Sequence, residues 1–199
     1  MKTRCAVKCL AVPVVVALCV ACAGCSASAR SKAAARRGPP RAHGSEPTPP
    51  PWQLAQCTPI ERFEEQPARH IPVGRTFRHY DSTPPTSGPH WPITADPGFY
   101  TVELPPEELV HNLEHGQIVV WYAPYISQET QRALERLSSQ DPAGVIAVPY
   151  SRVQPPYEFT LTAWGASQAC ANVSRAVIDR FRHRFQGRGP EYVGVPTFS

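Results

Sequence analysis

Apolar positions in the second half of the chain recur in two rhythms, one of period two and one near 3.6. Gln117–Tyr122 is a continuous β-branched apolar run and reads as a buried strand, and Gly144–Pro149 as a second. Tyr157–Trp164 is a third, with Phe159, Leu161 and Ala163 alternating against Thr160, Thr162 and Trp164. The longer rhythm gives three helices. In the first, Pro105 and Pro106 open the helix, Glu107 and Glu108 suit its positive end, and Leu109, Val110 and Leu113 form its apolar side. Gly116 suits the position just past its end. The second runs from a Ser127 cap to about Ser139, with Leu134 and Leu137 facing inward. The third follows Asn172 as cap, repeats Val173, Val177, Ile178, Phe181 and Phe185, and stops at Gly187.

Residues 57–100 lack long apolar runs and are rich in Pro, Gly, Thr and Ser. They read as ordered loop, with a short strand near Arg75–Tyr80. The stretch Asp81–Pro92 cannot be regular structure, because its prolines lack a donor and restrict the residues before them. A loop this stiff holds His90 at low entropic cost. No internal repeat is present. The expected fold is α+β, or a small α/β sandwich: one domain with a mixed or antiparallel sheet, two to three helices and a long ordered Pro-rich loop. Strand order does not follow from the pattern.

The N-terminus has a different composition. Lys2, Arg4 and Lys8 precede a short apolar run from Leu10 to Ala21, the length of a secretory h-region and too short for a bilayer span. The following Val20-Ala21-Cys22-Ala23-Gly24-Cys25-Ser26 resembles a bacterial lipobox, with Cys25 the better candidate for lipidation and Cys22 the alternative. Both have Cys where the usual lipobox has Leu. Residues 1–25 are thus expected to be a signal peptide, and residues 26–52, rich in Pro and Arg, a tether that forms no core. The expected location is the extracytoplasmic face of the cell membrane through a lipid anchor, the alternative being a secreted product. The tether's basic residues could rest on an anionic membrane surface, or simply be solvated.

Residues 53–199 form the expected domain, long enough for its own core. The whole chain is +4, but this part carries twelve basic side chains, all arginine, against fifteen acids. A net charge near −3 argues against a nucleic-acid partner, which needs a concentrated basic face. Its two cysteines, Cys57 and Cys170, form a disulfide in an oxidising compartment or remain two separate thiols.

The candidate chemistry is histidine. His111 and His115 lie one turn apart on one helix, about 5–6 Å between Cβ atoms, the spacing that one metal ion can bridge. Both point away from that helix's apolar stripe and so face solvent, a cleft or another polar element. With His90 from the rigid loop, and His70 as a further candidate, they make a set that zinc or copper(II) accepts. Glu114 would support the ligands or act as a base on a bound water. The only methionine is Met1, so the folded part offers no thioether ligand. The alternative is a structural polar cluster in which Tyr80, Asp81 and Ser87 bind the histidines and pin the loop to the helix.

His111-x-x-Glu114-His115 also has the inverted zincin spacing, for which Glu135 is the only clear helical carboxylate downstream. A zinc metallohydrolase is therefore a further alternative, with Glu114 as the catalytic group. A Ser87–His90 pair is too loosely constrained to infer. No Gly-x-Ser-x-Gly elbow, phosphate loop or dinucleotide fingerprint is present. Trp91, Tyr100, Trp121, Tyr122 and Trp164 either fill the core or line a ligand cleft beside the histidines. His43, His79 and His183 read as solvated.

Pro84-Pro85-Thr86-Ser87-Gly88-Pro89-His90 and Val110-His111-Asn112-Leu113-Glu114-His115-Gly116 together resemble the signature of the bacterial domain of unknown function 3105 family. Leu161–Gly165, Gly187–Glu191 and the segments Ile60–Phe63 and Arg69–Pro72 resemble its other blocks, so the likeness covers about residues 57–192. Glu65-Gln66-Pro67-Ala68-Arg69 departs from the usual stretch before the histidine. The resemblance implies an exported, often membrane-tethered protein whose biochemical role is not established. Residue chemistry leads to a divalent metal site, with a non-catalytic ligand- or protein-binding module as the alternative.

Overall fold

The computed structural model describes residues 50–198. The leader, the lipobox-like Cys22 and Cys25, His43 and nearly all of the tether lie outside the described residues. Those described fold as α+β. The strands are β1 (Glu61–Arg62), β2 (Gly98–Phe99), β3 (Ile118–Tyr122), β4 (Val145–Pro149), β5 (Phe159–Ala163) and β6 (Ala166–Cys170). The helices are the single turn α1 (Pro51–Leu54), then α2 (Pro106–Glu114), α3 (Gln128–Gln140) and α4 (Arg175–Phe185). One mixed six-stranded sheet has the order β1-β6-β5-β3-β4-β2. The parallel pair β3–β4 needs a crossover, which α3 provides; β5 returns antiparallel to β3, and β6 antiparallel to β5.

Every residue of β3, β4 and β5 is buried. This corrects the expected two-sidedness of the third strand: Thr160 and Thr162 are buried along with their apolar neighbours. Helices cover the sheet, and Thr162 Oγ1 accepts the indole N–H of buried Trp121 at 2.7 Å. The strand β6 has no apolar run to announce it. Its Gln168 is buried because the side-chain amide donates to the Thr58 carbonyl at 2.8 Å, so an inward-facing amide hides the alternation. No strand forms at Arg75–Tyr80. The segment is held by single contacts instead, such as the Phe77 N–H donating to Glu107 Oε1 at 2.7 Å. Helix α4 begins at Arg175, with Ser174 rather than Asn172 at the cap position and no side-chain capping bond. The Asn172 N–H is taken by the Ala55 carbonyl at 3.1 Å. Ser127 does cap α3, accepting from the Thr130 N–H at 3.1 Å.

Cys57 and Cys170 form a disulfide across 113 residues. It fastens the segment before β1 to the end of β6. By the chain-entropy account, a loop of this length contributes roughly 4–5 kcal/mol. Buried Arg182 of α4 is paired with Asp179 and with Asp141 at the end of α3, so this internal cation is neutralised on two sides. Among the described residues, no helix is long and apolar enough to cross a membrane.

Candidate metal centre

The loop before His90 is buried from Pro84 onward. The Tyr80 hydroxyl donates to the Pro89 carbonyl at 2.7 Å, and Ser87 Oγ accepts the Gln66 N–H at 3.0 Å. Gly88, at φ +121°, leaves space that any side chain would fill, since a Cβ there would lie 2.8 Å from Gln66 Oε1. His90 pairs with the chain at His70 through two backbone bonds: its N–H donates to the Arg69 carbonyl at 3.0 Å, and the Ile71 N–H donates to its carbonyl at 2.7 Å. These bonds set the His70 ring beside the His90 ring, their centroids 5.1 Å apart.

Helix α2 supplies the other half. Pro105 and Pro106 start it, and Leu109, Val110 and Leu113 are wholly buried. Gly116 follows the His115 cap at φ +86°, a conformation that favours glycine. Asn112 ties the helix to Ala95, donating to its carbonyl and accepting from its N–H. The His111 ring lies 4.8 Å from that of His90 and 5.1 Å from that of His70. Glu114 Oε2 is 3.0 Å from His90 Nε2 and 3.9 Å from His111 Nε2. His70, His90, His111 and Glu114 thus each present a ligand atom, all within 4.8 Å of one another. His90, His111 and Glu114 are buried and His70 is exposed.

His115 does not join that group. It turns toward Glu191, Nε2 to Oε2 3.3 Å, and forms a second group with His111 and Glu191. Glu191 is placed by close backbone contact. Gly187 N–H donates to the Gly116 carbonyl at 2.8 Å, and Glu191 N–H to the Glu114 carbonyl at 3.1 Å. A Cβ on Gly189 would stand 2.0 Å from the Glu114 carbonyl oxygen, so only glycine lets this segment reach the end of α2.

Reasoning from sequence misses Glu191. Its only signal is the Gly-rich block around it, and no spacing rule links that block to a helix more than seventy residues earlier. Glu135 is exposed on α3 and is in neither group. His79 and His183 are exposed, His183 resting on Phe198. Trp121, Tyr122 and Trp164 are buried, while Trp91 and Tyr100 are partly so.

Burial, and then the neighbouring His115, His90 and His70, push the His111 imidazole down from its usual range to about 4, with the Ile93 backbone opposing. His111 is therefore neutral near pH 7, as a metal ligand must be. The His90 Nδ1 sits 2.8 Å from the Gly88 carbonyl, which can only accept, so Nδ1 carries a proton and Nε2 is aimed at Glu114. Yet Nε2 makes no hydrogen bond of acceptable geometry, and neither does buried His111 Nδ1.

These features define a class: a mixed-sheet α+β domain with a histidine–carboxylate cluster between a rigid loop and a helix. The chain belongs to the family described as Protein of unknown function (DUF3105), whose model matches residues 72–196. The matched span includes the loop, α2 and Glu191 and begins two residues after His70. Comparison with curated proteins found no match, nor did comparison with solved structures.

Proposed function

We propose that this protein binds one divalent metal ion, zinc or copper(II), through His70, His90, His111 and Glu114. The observation that carries the reading is the environment of His90 Nε2: buried, 3.0 Å from a carboxylate oxygen, and without a formed hydrogen bond. Two acceptor atoms this close repel unless a proton or a cation lies between them. Four ligands at about 2.0–2.2 Å from a tetrahedral ion stand roughly 3.3–3.6 Å apart. The separations of Glu114 from His90 and His111, 3.0 and 3.9 Å, bracket that value.

A purely structural role for the histidines has less support. The hydroxyls that would bind them are used elsewhere, Tyr80 on Pro89 and Ser87 on Gln66. Glu114 stands among the ligand atoms, which favours it as a ligand over a free catalytic base. A bound divalent ion would supply Lewis acidity; the chain's part is to fix the donors and hold the imidazoles neutral. We also propose export and anchoring at the extracytoplasmic face through Cys25, on the strength of the leader and lipobox-like residues.

The test is metal content of the purified full chain by elemental mass spectrometry, after loading with zinc or copper(II) and dialysis. The expected result is about one equivalent retained. Retention unchanged in His90→Ala and His111→Ala would overturn the site. Cell fractionation of a Cys22→Ser, Cys25→Ser chain, expected to leave the membrane fraction, tests the anchor.

A further inference from the structure

A cleft of about 370 Å³ has Trp164 in its wall and no histidine in its lining. The Trp164 ring meets His90 edge-on at 6.4 Å and also forms part of the cleft wall, with Phe185 and Ala163. Three arginines converge on it from separate elements: Arg62 from β1, Arg184 from the last turn of α4, and Arg188 from the glycine-rich segment that places Glu191. The guanidiniums of Arg62 and Arg184 stand 5.1 and 5.4 Å from the centre of the same Phe185 ring.

All three arginines are exposed, and among the described residues none is in an ion pair. The one acid on the wall, Glu65, accepts the Trp164 indole N–H at 3.1 Å. The cleft is therefore locally positive in a domain whose acids outnumber its bases. The dipole at the end of α4 accounts for one cation there, Arg184. It does not account for Arg62 or Arg188, and Glu65 is the one acid on the wall against the three arginines.

We propose that this cleft is an anion site for a phosphate-bearing ligand. Arginine's planar fork matches phosphate oxygens, and guanidiniums on an aromatic floor are fixed in direction before the ligand arrives. The volume is at the lower end for small-ligand sites and suits a compact group. The site needs no metal and stands independently of the histidine cluster.

The experiment uses the full chain with Cys22→Ser and Cys25→Ser, so that no lipid anchor contributes, kept in chelator. Pyrophosphate is titrated by calorimetry. Binding is expected, with Arg62→Gln and Arg188→Gln each weakening it about tenfold. Arg132→Gln, the same charge change on exposed α3, should leave it unaltered. A second arm measures flotation with phosphatidylcholine vesicles with and without phosphatidic acid. Binding to the acidic vesicles alone, lost in the Arg62 and Arg188 variants, would support the site and assign the phosphate to a lipid headgroup. Three results overturn the proposal. One is binding in neither arm. Another is an equal loss in Arg132→Gln, which would mean diffuse charge. The third is pyrophosphate binding that the Arg62 and Arg188 variants leave unchanged.

Discussion

His90 and Glu114 face each other across 3.0 Å, Nε2 to Oε2, while the opposite nitrogen of the same ring is held by the Gly88 carbonyl at 2.8 Å. The loop thus fixes the tautomer and the helix brings the carboxylate, so neither element alone makes the site. Replacing Glu114 by Gln separates the two roles this oxygen could have. An amide N–H can donate to Nε2, so the metal-free fold should keep its melting temperature or gain slightly. Metal affinity, measured by competition with a chromogenic chelator, should fall more than about tenfold. A variant that binds metal normally would remove Glu114 from the ligand set.

His115 and Glu191 supply a second expectation. They share only His111 with the four-atom group, so their loss should be milder than its loss. His111→Ala should abolish retention of metal on dialysis. His115→Ala and Glu191→Gln should retain about one equivalent, at a cost in affinity of about tenfold or less. Equal loss in all three variants would place the ion between His111, His115 and Glu191 instead.

The elements with strong periodicity are legible from the amino-acid pattern alone. Strand β3 is a run of β-branched and aromatic residues, and α2 has proline at its start, acids in the first turn and glycine after its end. Each is specified by its own few residues. The strand β6 is not legible, because Ala166, Gln168 and Cys170 cover the sheet with small or amide side chains whose burial depends on Thr58 and the disulfide. The histidine pair is legible as a pair. That His115 turns from His90 to Glu191 is not, since it follows from the approach of Gly189 to the Glu114 carbonyl, a contact between segments distant in sequence.

His111 makes the stability of the metal-free chain depend on pH in a defined direction. Its imidazole titrates near 4 in the folded chain and near 6.5 when unfolded. Between these values the unfolded chain binds the extra proton, so stability falls as pH is lowered through this window and is fully present above it. Thermal melting in chelator should therefore drop from pH 6.5 toward pH 4, and the drop should be shallower in His111→Asn. Identical profiles for the two chains would mean that other groups set the slope.

Gly189→Ala tests whether the second ligand group depends on backbone approach. The added Cβ would meet the Glu114 carbonyl oxygen at 2.0 Å and the Gly116 nitrogen at 2.4 Å. Both are backbone atoms at the end of a packed helix, so the 187–191 segment must yield rather than the helix. Overpacking of this kind costs about 1–3 kcal/mol, and each kcal/mol lowers the melting temperature of a chain this size by roughly 2–4 °C. The segment carries Glu191 away from His115 as it moves. The His115 ring signals in a nuclear magnetic resonance spectrum should then shift, while those of His90, held by the Gly88 carbonyl and the bridge to His70, should stay in place. If both sets moved together, the two histidine groups would be one mechanical unit, and the separate roles given to His115 and His90 would fail.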